Sequence, residues 1–399
     1  MKKALVVFLA LAMIAGVFAD EPVAESSIAG FSGNASVTWG VDLDSKKTGF
    51  KNDASADFKV TLAKGGSKTS AGDGVWGEIK IEAKDLKIEN AEIKDGTAEV
   101  KEAKLHLGPV TVGIMKGDTK VGGYNAPRAL NYEKNAKVDA VNESKEHGIV
   151  IQYSAGDIFS IDVDFRSAEK YNDDYGVAAE ITSKPIAGLE VKAGYSMAFA
   201  SKAMGLGAKV EYNMPIGDAG MYIKPGLGYS STLAAGDSGD IAFGVLFGFS
   251  DETGKDDAGL PLFDGGFSGK ANAGVSVATL IDLNNTAAIP VYFDVWTGSK
   301  LVPNLGAAAC FRTDDVTNVA TNYVAGAGVK YEISVDPATI TPQVGFIMAN
   351  TTSLKLKGGV VVGGAVVDNT TFELWYTSGE FKASPAGLGT IDLTCKISI

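Results

Sequence analysis

Alternation of apolar and polar residues constrains this chain more than any other feature. It recurs in units of about ten residues, and a period of two commits the backbone to strands with two unlike faces. In Gly389–Ile399, Ile391, Leu393, Cys395, Ile397 and Ile399 are apolar, while Asp392, Thr394, Lys396 and Ser398 are polar. Asn34–Asp44 does the same, with Ala35, Val37, Trp39, Val41 and Leu43 on one face. So do 54–63, with Phe58, Val60 and Leu62, and 77–84, where Ile79, Ile81 and Ala83 oppose Glu78, Lys80, Glu82 and Lys84. The pattern returns at 98–107 and 109–114, and a hairpin follows about Ala155-Gly156-Asp157. A short connection containing glycine joins antiparallel strands. Further stretches fall at 175–183, 189–199, 203–213, 219–229, 240–250, 267–283, 288–297, 303–312, 322–335, 339–349, 353–366, 370–378 and 389–399.

The expected fold is all-β: a transmembrane antiparallel barrel of about 18–20 strands (range roughly 16–20), each near the ten residues that cross a bilayer at a tilt. Strands of soluble proteins are nearer 5–6 residues. A closed barrel also removes the edges that so many strands would expose, and it satisfies the backbone in lipid. The apolar faces fit a lipid-facing wall, and the opposite faces, carrying both signs of charge, fit a wet interior. Tyr153, Phe165, Tyr195, Phe199, Tyr229, Phe249 and Tyr376 stand near strand ends, where membrane interfaces favour aromatic rings. Trp296 and Trp375 fall on the polar parity instead. A secreted β-sandwich or solenoid is the soluble alternative.

The N-terminus reads as an export signal. Lys2 and Lys3 precede the apolar run Ala4–Val17, and Val17-Phe18-Ala19 suits cleavage after Ala19. The expected organisation is a signal peptide at 1–19 and one outer-membrane barrel at 20–399. Lys2 and Lys3 would leave with the signal, reducing the 36 Lys and Arg set against 48 Asp and Glu. So acidic a chain is a poor partner for nucleic acid.

A sharper likeness lies at 33–118. The stretches "VTWGVDLDSKKTGFKNDASADFKVTLA", "VWGEIKIEAKDLKIENAEI" and "TAEVKEAKLHLGPVTVGIMKGD" resemble the major outer sheath protein family of spirochaetes, the Tpr-like proteins. On that resemblance 33–118 is the family's N-terminal region and 147–399 a C-terminal barrel region. It implies an abundant outer-membrane protein with pore-forming activity, embedded in outer-membrane lipid and assembled as a homo-oligomer such as a trimer. Family members are also linked to host matrix proteins. The final strand resembles the C-terminal recognition strand of bacterial outer-membrane barrels, although Ile399 stands where an aromatic residue usually ends it.

The chemistry of catalysis is thin. His106 and His147 are the two histidines, and neither has a serine partner that would make a hydrolase. The Gly205–Gly207 and Gly326–Gly328 stretches sit inside alternating strands with no following helix, so they are not dinucleotide loops. Asp251, Glu252, Asp256, Asp257 and Asp264 match no dedicated calcium loop and read as a solvated acidic loop. Cys310 and Cys395 have opposite parity, so they should project from opposite sides of the wall without a disulfide. The 117–146 stretch is long and carries Tyr124, Pro127 and Arg128. It either folds into the lumen as a constriction or covers one mouth.

The reading is therefore a porin, not an enzyme and without a cofactor or metal. Small hydrophilic solutes and ions would diffuse through it. The alternative is a surface adhesin or structural array protein that binds host matrix. The expected pore-lining residues are Asp57, Lys59, Glu78, Lys80, Glu82, Lys84, Asp162, Asp164, Lys209, Glu211, Asp294, Arg312, Lys330, Glu332 and Glu373, with Asp392 and Lys396 on the closing strand. From the acidic total, a mild cation preference is expected.

Overall fold

A computed structural model describes residues 28–64, 75–89, 92–113, 121–127, 137, 139, 147–167, 175–218, 220–249, 273–287, 289–302, 304–350, 353–364, 369–381 and 386–398. For 28–34, 52–64, 75–76, 78–89, 92–102, 147 and 299–302 it describes the backbone path alone. The strands are β1 (Ile28–Asp42), β2 (Lys47–Lys64), β3 (Val75–Glu89), β4 (Glu92–Leu107), β5 (Val110–Gly113), β6 (His147–Ala155), β7 (Phe159–Ser167) and β8 (Tyr175–Ser183). There follow β9 (Leu189–Ala198), β10 (Met204–Tyr212), β11 (Met214–Ile216), β12 (Met221–Ser231), β13 (Asp240–Phe249), β14 (Ala273–Asp282) and β15 (Val291–Val302). The last are β16 (Leu305–Thr313), β17 (Tyr323–Tyr331), β18 (Ile333–Val335), β19 (Ala338–Ala349), β20 (Ser353–Gly363), β21 (Thr370–Thr377) and β22 (Thr390–Ser398).

All 22 lie in one sheet. Each pairs antiparallel with its sequence neighbours, apart from two short pieces. β11 and β18 continue β10 and β17 past a one-residue break, at Asn213 and Glu332, and pair with β12 and β19. Discounting those two leaves twenty staves among the described residues, at the top of the expected range. The last strand then returns to the first: Asn34 pairs with Ser398, Thr38 with Thr394 and Asp42 with Thr390. The sheet is a closed barrel. The Thr38 and Thr394 hydroxyls bond each other at 2.8 Å across this closure. The alternation through β22 is thus explained, because this strand needs one apolar and one polar face like every other stave.

Burial is inverted relative to a soluble protein. Asp294, Arg312 and Asp164 are 0%, 2% and 3% exposed, whereas Phe243, Leu374 and Val344 are 45%, 48% and 52% exposed. The charged parity faces inward, and the apolar parity covers the outside. Tyr153, Phe165, Tyr195, Phe199, Phe249 and Tyr376 belong to that exposed set, and Phe165 stacks on Tyr175 with ring centroids 5.5 Å apart. Trp296 and Trp375 are buried on the inner parity, as the sequence implies. Trp375 lies flat over Gly359, and Tyr222 over Gly248, where a Cβ would stand 2.5 Å and 2.2 Å from the rings. Cys310 is buried on the inner face, Cys395 lies on the outer parity beside Val37, and both are free thiols.

The structure departs from the sequence reading in a few places. The 322–335 stretch is broken at Glu332, whose amide donates to the Asn304 carbonyl at 2.8 Å. Val316–Thr321 form a short 3-10 turn, held by the Asp315 side chain accepting from the Thr317 amide. The start of the expected 267–283 strand and the Asp251–Asp264 loop lie outside the described residues.

Candidate functional site

The inner wall is built by the even residues of some staves and the odd residues of others, as register dictates. On β7, Asp162 and Asp164 face inward, and Asp164 pairs with Arg166 at 3.1 Å. On β10, Lys209 and Glu211 face inward, 3.4 Å apart. Asp294 accepts from the Ser276 hydroxyl at 2.8 Å and lies directly opposite Arg312, which in turn bonds Asp314. Lys330 stands 3.7 Å from Glu332. Glu373 accepts from the Trp375 indole at 3.1 Å and pairs with Lys396 at 2.7 Å. All these expected residues lie on one face of one closed sheet, although Glu332 sits at the break between β17 and β18.

The six N-terminal candidates are placed by backbone register. Asp57 is opposite Glu82, Lys59 opposite Lys80, Glu78 opposite Lys104 and Lys84 opposite Thr97. Their side chains lie outside the described residues. His106 is half-buried next to this group, and its Nδ1 bonds the Thr111 hydroxyl at 2.9 Å.

One stretch of the long β5–β6 connection lies inside the barrel. Val121, Gly122, Tyr124, Ala126 and Pro127 are all buried. They rest on a track of inner-wall glycines that crosses four neighbouring staves. A Cβ at Gly194 would stand 3.0 Å from Val121, at Gly207 2.6 Å from the Gly122 nitrogen, at Gly226 2.5 Å from Pro127, and at Gly244 2.9 Å from the Pro127 carbonyl. The wall lacks side chains where the segment needs room. Tyr124 and Ala126 also pack with Ala242, Ala278 and Tyr292 on the wall. The Tyr124 hydroxyl donates to Glu180 Oε2 at 2.5 Å. Burial first, and then this carboxylate, push the phenol above its ordinary range.

Below the segment the wall carries charges that the sequence reading passed over. Glu180 meets Lys192 at 3.5 Å, Glu190 meets Lys184 at 3.6 Å and Lys209 at 3.2 Å, and Lys224 pairs with Glu211. The same period of two was present around Glu180, Glu190, Lys192 and Lys224. In Leu189–Met197, Glu190 and Lys192 alternate with Leu189, Val191 and Ala193.

No protein-family profile matches this chain. The major outer membrane protein MspA of Treponema maltophilum is 43% identical to it over 192 residues, covering 42% of this chain and 33% of that protein. The major surface protein MspTL of Treponema lecithinolyticum is 42% identical over 185 residues, covering 42% and 31%. These proteins are its homologues. The family resemblance read from 33–118 agrees with them. The chain spans about a third of the length of the curated relatives it matches. Among solved structures, Pseudomonas aeruginosa OpdQ matches at 8% identity and a TM-score of 0.40, covering 95% of this chain and 99% of that one. A triple mutant of Rhodopseudomonas blastica porin matches at 10% identity and 0.34, covering 93% and 100%.

Proposed function

We propose that this chain is a non-enzymatic outer-membrane porin that passes small hydrophilic solutes and ions through a water-filled barrel. The observation that carries the reading is the inverted wall: charged side chains inside a closed sheet, apolar ones over its outside. Leaving that outer surface in water costs about 25 cal/mol per Å², and monomers rarely keep apolar patches beyond a few hundred Å². A bilayer removes this cost, and closure satisfies the backbone within it. The homologues' names, outer membrane and surface proteins, support the location.

In this reading residues 20–399 form a single barrel after removal of 1–19, and the family's N-terminal region supplies staves of the same wall. The expected charges from Asp57 to Glu373 line the passage. The 121–127 segment narrows it, because it occupies lumen along the β9–β13 wall. Chemistry is confined to selecting what diffuses, and no group in this reading acts on a bond.

Refolded full-length chain added to a planar lipid bilayer tests the proposal. Stepwise, long-lived conductance increments are expected. A properly refolded, heat-modifiable barrel that leaves the bilayer electrically silent contradicts it.

A further inference from the structure

On the β8–β12 wall like charges face each other directly across the strands, and each is compensated by an opposite charge on the diagonal. Lys192 lies directly opposite Lys209, and Glu190 directly opposite Glu211. Like charges facing across two strands are destabilising. What results is two rows on the inner wall. An ammonium row, Lys192 and Lys209, lies two residues along the strands from a carboxylate row, Glu190 and Glu211. Glu180 and Lys224 stand on the diagonals at either end, each beside an opposite charge.

The pairs are only partly covered. The side chains of Glu190, Lys192 and Lys224 keep 26%, 27% and 27% of their exposure, while Lys209 and Glu211 keep 17% and 16%. The patch borders the seat of the inward segment, since Lys192 lies two residues from Gly194, Lys209 two residues from Gly207, and Lys224 two residues from Gly226. A solute passing the segment on this side would meet the two rows. Their charges nearly cancel, so the acidic total of the chain does not act here.

Resting on the pore reading above, we infer that this patch is a specificity-determining surface for dipolar solutes, those carrying an ammonium and a carboxylate a few ångströms apart, as free amino acids do. A zwitterion can place its carboxylate against the lysine row and its ammonium against the glutamate row at once. It replaces the existing pairs with equivalent ones. A solute of one sign satisfies a single row and leaves the other short of partners, and an uncharged polyol replaces neither.

The test is osmotic swelling of liposomes holding the full chain, with threonine compared against erythritol, which are close in mass. The wild-type barrel should admit threonine several-fold faster. The Glu190→Gln/Lys209→Gln double variant, checked for folding by heat-modifiable migration, should bring the two rates together. Equal rates in the wild type overturn the inference, and this arm needs no variant to fold. A threonine preference that survives in the folded double variant also overturns it. Liposomes that admit neither solute refute the pore reading itself, a result distinct from equal entry of both.

Discussion

A methyl group at position 207 would stand 2.6 Å from the amide nitrogen of Gly122, well inside contact distance. That makes Gly207 a seat for backbone rather than a flexible joint, and Gly226 makes room for the Pro127 ring. Substituting Gly207→Val should leave the ladder from β9 to β12 intact but lift the segment from the wall. Overpacking of this kind costs about 1–3 kcal/mol. The expected readout is a larger single-channel conductance than wild type, in a barrel that still shows heat-modifiable migration. Tyr124→Phe should act in the same direction, because it removes one hydrogen bond to a carboxylate, worth about 1.5–3 kcal/mol. An unchanged conductance in both variants would mean that the segment does not narrow the passage. This part of the site was hidden in the sequence. Gly205 and Gly207 announce a strand that tolerates close approach, but nothing local says that Gly122 is what approaches. Glu180, Glu190, Lys192 and Lys224 were legible in principle, since each sits at the polar parity of an alternating stretch. Their partnership across β8, β9, β10 and β12 depends on register, which alternation does not give.

At the scale of elements, the closing seam is the most exacting feature. Val37 on β1 lies directly opposite Cys395 on β22, on the outer parity. Directly paired residues of antiparallel strands have Cα atoms about 4.5–5.5 Å apart, within the range a disulfide bridges. The Val37→Cys variant should therefore form a bond to Cys395 on oxidation, seen as a linked peptide pair after digestion under non-reducing conditions. Cys310 should stay reduced, since it lies on the inner face and on a distant stave. A 37–310 link, or none, would contradict the closure. The strands themselves were the legible part, because each has to present one face to each of two environments and so writes its period into the sequence. The breaks at Asn213 and Glu332 were not legible, because the alternation of neighbouring residues runs on through them.

The whole molecule is a ring of staves whose every neighbour relation is antiparallel and whose two faces differ in chemistry. Its count and closure followed from strand length and from the need to leave no edge in lipid. Which loop entered the lumen did not, because 117–146 reads equally as a constriction or a cover until the glycine track is seen opposite it. The account stands on one claim, that the apolar face meets acyl chains and the charged face does not. Spin labels placed singly at each position of β13, Ile241 to Phe249, in a Cys310→Ser/Cys395→Ser background in liposomes, test this most directly. The account predicts that collision with lipid-soluble oxygen alternates, high at 241, 243, 245, 247 and 249 and low at 242, 244, 246 and 248. Uniform collision along the strand, or the reverse alternation, would contradict it.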